Sequence, residues 1–181
     1  MAQWRNGGSA YGIIAQALHW LVAALVLAQT GIGLYAASLP VSIARLQWLS
    51  RHKSLGLAVL VLVLARLAWR WLDPPPALPE AMPRRERRAA LAAHRLLYAL
   101  LVAAPLAGWA HASAAGLSVN WFGLFLVPDI APRSEALAQA FKAAHGICVA
   151  ALALLVAVHV AAALRHALVL RDGVMRRMLP W

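Results

Sequence analysis

Cysteine is nearly absent from this 181-residue chain, and several chemistries go with it. The single Cys148 lies inside an apolar run, so it forms no internal disulfide and reports nothing on redox compartment. No Cys-x-x-Cys-His occurs, which excludes c-type haem attachment. Charge is also scarce: 13% of residues are Asp, Glu, Lys or Arg, against about 25% in globular proteins. That deficit argues against a soluble all-α protein with a greasy core. Internal repeats and low-complexity tracts are missing. So is a pair of Gly/Pro-broken apolar segments in corresponding halves, the usual pointer to a transporter.

Hydrocarbon is what the chain has instead. It is 63% hydrophobic with a mean hydropathy of +0.70. Apolar runs near or above the ~20 residues needed to span a bilayer occur four times. They cover roughly Tyr11–Ala37, Trp48–Leu72, Ala89–Ala112 and Gln139–Leu170. The first is too long for the apolar core of a signal peptide, so it counts as a helix. The expected fold is all-α: an integral membrane four-helix bundle forming a single transmembrane domain over 1–181.

A net charge of +11 would suggest nucleic acid in a soluble protein, but its distribution points elsewhere. The N-terminus, the second connection and the C-terminus carry twelve of the basic residues, including Arg5, Arg66, Arg70, Arg95, Arg165, Arg171, Arg176 and Arg177. The first and third connections carry only Arg45, Arg51, Lys53, Arg133 and Lys142. Positive residues gather on the cytoplasmic side, so a multi-pass protein with both termini in the cytoplasm is expected. In a bacterium this is the inner (plasma) membrane, with the opposite face periplasmic. The second connection opens with Asp73-Pro74-Pro75-Pro76, which stops a helix. It continues as Arg84-Arg85-Glu86-Arg87-Arg88, suited to anionic membrane lipid. The long outer stretch Ser113 to Ala138 is not polar; Trp121, Phe122 and Phe125 suit an interfacial segment covering a site.

Ionisable groups inside hydrocarbon mark function. His19, His52, His145 and His159 all fall within apolar runs. His145 and His159 are fourteen residues apart on one helix, so they share a face and stand roughly 21 Å apart along its axis. With helices alternating in direction, depth pairs His52 with His145 on the outer side and His19 with His159 on the inner side. Each pair joins two helices, as bis-axial ligation of a haem iron requires, and imidazole is an established haem ligand. A structural zinc site fits worse, because it wants four clustered ligands at one depth. Gly56, Gly146 and the nearby alanines would let a flat porphyrin approach the backbone.

With these residues in place, the chain resembles the bacterial cytochrome b561 family of four-helix dihaem inner-membrane cytochromes. The likeness runs from His19-Trp20 through His52 and Gly56, Arg66, and His94-Arg95-Leu96-Leu97-Tyr98. It continues through Pro105, Asn120-Trp121-Phe122-Gly123, and His145, His159 and His166, to the closing Arg176-Arg177-Met178-Leu179-Pro180. The resemblance implies two haem b groups, held by His19, His52, His145 and His159, and electron transfer between haem and quinone. For some members it implies oxidation of superoxide to dioxygen with ubiquinone as acceptor. His111, at the outer end of the third helix, departs from the family pattern and has no assigned role.

Five further residues carry weaker readings. Arg51 and Lys53 flank His52 and suit guidance of an anion, or ordinary snorkelling at a helix end. Arg66 shares the face of His52 at the inner depth and suits a haem propionate more than a lipid head group. His94 and His166 together suit a quinone carbonyl or its protons, or simple contact with interfacial water. The competing reading is a haem b anchor subunit passing electrons between a partner dehydrogenase or hydrogenase and quinone. Short termini and a modest inner loop argue against a large redox partner subunit, while a homo-oligomer is left open.

Overall fold

The computed structural model describes residues 3–8, 10–79 and 81–179; Pro180 of the closing motif lies outside them. Four long helices dominate: α1 (Ile13–Ser38), α2 (Ile43–Leu72), α3 (Arg84–Ala114) and α4 (Glu135–Arg165). All four are long and apolar enough to cross a membrane. Three begin earlier than their apolar runs, at 43 rather than 48, 84 rather than 89, and 135 rather than 139. Local chemistry explains this. Ser42 Oγ accepts from Arg45 N and Ser134 Oγ accepts from Leu137 N, each capping a helix before hydrophobicity sets in. Pro83 precedes the first turn of α3, where a polar, arginine-rich start lies outside the hydrocarbon.

α3 packs chiefly on α4, α1 on α2, and α2 on α3. The tightest core lies between α1 and α2, where Val22, Val59 and Val63 are buried with Tyr98, Leu101 and Val102 of α3 against them. Elsewhere the bundle is apolar outside. Leu27, Leu34, Trp71, Ile147 and Leu154 are exposed, an arrangement that hydrocarbon solvates and water would not.

The connection between α3 and α4 forms a small antiparallel hairpin, β1 (Asn120–Trp121) and β2 (Phe125–Leu126). Its turn places Phe122 and Gly123 at positive φ, 51° and 78°. Ser54 of α2 holds the hairpin down: Phe122 N donates to its Oγ, which donates to Asn120 O, while Trp121 Nε1 donates to its carbonyl. Ser113 does the same from α3, accepting from Ile130 N. His111 Nδ1 donates to Ala138 O at 2.9 Å, so this histidine rivets α3 to the first turn of α4.

At the opposite face the described segments before α1 and after α4 fold back onto the bundle. Asn6 N and Nδ2 donate to Asp73 Oδ2 and O, and Asn6 Oδ1 accepts from Gly12 N. α4 continues as a π-helical turn, His166–Leu170, and a 3-10 turn, Met175–Met178. Gln16 Nε2 donates to the Arg177 and Leu179 carbonyls, and Trp20 Nε1 to Met178 O, fastening this segment to the N-terminal half of α1.

Candidate haem centres

The four intramembrane histidines meet in two pairs. On the hairpin side, His52 of α2 and His145 of α4 have ring centroids 6.1 Å apart, with ring planes at 85°. On the side of the termini, His19 of α1 and His159 of α4 are 6.4 Å apart at 69°. Two imidazoles sharing one metal ion through bonds of about 2.0–2.1 Å, each ring centre about 1.1 Å behind its nitrogen, would have ring centres roughly 6.2–6.4 Å apart. Both pairs therefore suit one metal ion held between two imidazoles.

Two of the four rings have a nitrogen that the chain itself leaves unpaired. His19 Nδ1 and His52 Nδ1 are buried without a hydrogen-bond partner among the described residues, a state that costs free energy. His145 differs: its Nδ1 donates to Ala104 O at 2.8 Å, which fixes the ring and leaves Nε2 as its ligating nitrogen.

Two glycines position the outer pair, and neither stands out in the sequence. A Cβ at Gly33 would lie 2.7 Å from His52 Cε1, and one at Gly108 would lie 3.1 Å from His145 Cε1. Gly56 makes room for Gln29, whose Nε2 lies 3.0 Å from where its Cβ would be. Gln29 Nε2 in turn donates to His52 O at 2.7 Å. Among the described residues, no atom beyond its own helical backbone and chain neighbours lies within 4 Å of a Cβ at Gly146.

Around the inner pair, His94 of α3 lies 5.4 Å from His159. Arg66 and Arg70 both lie over the Tyr98 ring, at 5.5 and 5.8 Å, and among the described residues neither has a carboxylate partner. Tyr11 completes the cluster just outside α1. Burial raises its phenol above the ordinary value, with Tyr98 adding to the rise and Arg70, Arg66 and Arg177 opposing it. His166 does not join His94; its Nδ1 pairs with Asp172 Oδ2 at 2.6 Å beyond the helix end.

At the hairpin face the two flanking cations diverge. Lys53 Nζ donates to Leu117 O and Ser118 O, so it serves the end of α3. Arg51 stacks on Trp48 at 4.6 Å and lines a cavity of about 390 Å³ with Gln47, Ser50, Ser54, Phe122 and Gly123. Ser54 and the two positioning glycines were illegible as site residues in the sequence, since Ser and Gly are ordinary in apolar helices.

The profile of the prokaryotic cytochrome b561 family matches residues 10–181. The chain belongs to that family. It is 32% identical over 179 residues to "Cytochrome b561 homolog 2" of Escherichia coli (strain K12), covering 96% of this chain and 93% of the relative. It is 32% identical over 173 residues to "Probable superoxide oxidase CybB" of Yersinia pestis, covering 94% and 96%. "Cytochrome b561 homolog 1" of Escherichia coli (strain K12) is 31% identical over 129 residues, 71% of this chain and 73% of that one. The protein is thus a membrane cytochrome of the b561 family, and membership implies haem b and electron transport.

Proposed function

We propose that this cytochrome holds two haem b groups, one between His52 and His145 and one between His19 and His159. The two imidazole pairs, 6.1 and 6.4 Å between ring centres on facing helices, carry this reading. Haem supplies a one-electron carrier whose potential the protein tunes. The chain's own residues do the rest. Gly33, Gly108 and the Ala104 carbonyl orient the outer imidazoles. Arg66 gives a haem propionate a cationic partner that no carboxylate among the described residues occupies.

The reaction we propose is oxidation of superoxide to dioxygen at the outer face, with ubiquinone as acceptor. Two superoxide ions give two electrons and two dioxygen molecules; one quinone takes those electrons and two protons to become quinol. Arg51, exposed beside its cavity next to His52, attracts the anion, and Lys53 adds to the same positive field. The relative named as a probable superoxide oxidase supports the choice of substrate. Quinone reduction is placed at the inner level. His94 stands beside the inner pair, and the His166–Asp172 pair offers a proton entrance from the face bearing the termini. That face is the cytoplasmic one in this reading, on the twelve-to-five bias of basic residues.

Pyridine haemochrome analysis of the detergent-purified protein tests the cofactor reading; two haem b per chain are expected, and one or none refutes it. Enzymatically generated superoxide with excess ubiquinone tests the reaction. Haem reduction indifferent to superoxide dismutase would remove superoxide and leave a quinol-linked carrier.

A further inference from the structure

The turn after α4 encloses a cavity of about 530 Å³, lined by His166, Arg171, Gly173, Met175, Arg176 and Leu179 among others. Its backbone is unusual at three points. His166–Leu170 winds as a π-helix, Arg171 is a non-glycine residue at φ 51°, and Gly173 follows at φ 76°. π-helical turns and left-handed non-glycine residues are uncommon, and both concentrate at functional sites.

Asp172 stabilises this geometry from within. Its Oδ2 accepts from His166 Nδ1 and its Oδ1 from Val174 N. The carboxylate nearest the cavity is therefore already engaged. Arg171 spends its Nε on Leu168 O, which leaves its terminal nitrogens available, and Arg176 is exposed. Among the described residues, neither guanidinium has an acidic partner. Just before Arg171, Leu168 and Val169 are 66% and 73% exposed, a surface suited to acyl chains. Two unpaired guanidinium groups over an apolar strip, at the end of a membrane span, suit a phosphate linked to hydrocarbon.

We infer that this cavity binds the phosphodiester head group of an anionic phospholipid, with Arg171 and Arg176 on the phosphate and the acyl chains along Leu168 and Val169. Phosphatidylcholine also carries a phosphate, but its quaternary cation would meet two arginines and an aspartate that is already paired. Head-group charge therefore decides the preference. The inference holds whatever the electron donor and acceptor are.

The test is native mass spectrometry of the full chain released from vesicles of phosphatidylcholine and phosphatidylglycerol, counting the lipids retained. Two guanidinium groups at a charged surface should favour phosphatidylglycerol by about 30-fold. Arg171→Gln/Arg176→Gln should abolish the preference, Arg171→Lys/Arg176→Lys should keep part of it, and Arg133→Gln/Lys142→Gln, at the hairpin face, should leave it intact. An unchanged haem spectrum in each variant excludes misfolding as the cause. Equal retention of the two lipids by the wild type, or an unchanged preference in the double Gln variant, overturns the proposal. Inorganic phosphate displacing phosphatidylglycerol at millimolar concentration would overturn the lipid assignment in favour of free phosphate.

Discussion

Replacing Gly33 by alanine should cost the cytochrome its outer haem while sparing the inner one. The added Cβ would lie 2.7 Å from Cε1 and 3.0 Å from Nδ1 of His52. Carbon–carbon contacts are comfortable from about 3.5 Å, so the ring must retreat by roughly 0.8 Å or the helices must part. Metal–ligand bonds tolerate only about 0.2 Å. Overpacking of this kind typically costs about 1–3 kcal/mol, which lowers haem affinity at that site about 5- to 150-fold. Haemochrome stoichiometry should fall from two towards one per chain, and a redox titration should lose one of its two waves. Gly108→Ala, whose Cβ would lie 3.1 Å from His145 Cε1, should act in the same direction but more weakly. Gly31→Ala is the control, because nothing lies within 4 Å of a Cβ there. If Gly33→Ala retained two haems with unaltered spectra and potentials, like the Gly31 variant, the glycine would not be positioning His52.

Other outcomes follow from the same geometry. His52→Ala or His145→Ala should remove the outer haem, and His159→Ala the inner one; a variant keeping two six-coordinate haems would break the pairing. Superoxide-driven reduction should slow as ionic strength rises from 0.01 to 0.1 M, where the Debye length shrinks from about 30 to about 10 Å. Arg51→Gln should reproduce that slowing at low salt while reaction with a neutral quinol is unchanged; Lys53→Gln should also loosen the hairpin, because its Nζ holds the Leu117 and Ser118 carbonyls. Reporter fusions at Pro76 should read cytoplasmic and those near Pro132 periplasmic, and a periplasmic signal at Pro76 would invert the orientation. Asp172 should titrate below its ordinary 3.8: slight burial raises it, but donation from Val174 N and His166 outweighs that. A depressed carboxylate stabilises above its unfolded pKa, so its hold on the C-terminal turn should persist above about pH 4 and fail as pH falls through the lowered value. A labelled Asp172 carboxyl resonance titrating at or above pH 4 would refute this.

The spans were legible because hydrocarbon dictates their length and composition, and the histidine pairs because helix direction fixes depth. Helix starts were not, since Ser42 and Ser134 cap with side-chain oxygens ahead of the apolar runs. Nor was the separation of His94 from His166. Spacing along the chain places both near the inner face, but the π-helical turn carries His166 towards Asp172, and no periodicity rule anticipates it. The structural part that Lys53 plays was hidden for a related reason. Its charge was visible, but the two carbonyls that occupy it lie more than sixty residues away in sequence.

One regularity unites the residues that were read and those that were not. Each helix carries two site residues fourteen positions apart: His19 and Gly33 on α1, His52 and Arg66 on α2, His94 and Gly108 on α3, His145 and His159 on α4. Fourteen residues are close to four full turns, so both members of each couple face the bundle interior roughly 21 Å apart. The inner level thereby receives His19, Arg66, His94 and His159; the outer level receives Gly33, His52, Gly108 and His145. A histidine in hydrocarbon advertises itself by its cost, whereas a glycine at the same register does so only once its neighbour is known. The two levels are also chemically unequal. The outer glycines bring the backbones of α1 and α3 against their imidazoles and leave them little freedom. The inner level adds a guanidinium and a third imidazole where the outer has only backbone. In the proposed reaction, anionic propionates and proton-coupled chemistry are therefore better accommodated at the inner level, and electron entry at the outer one, where Arg51 and Lys53 supply the positive field.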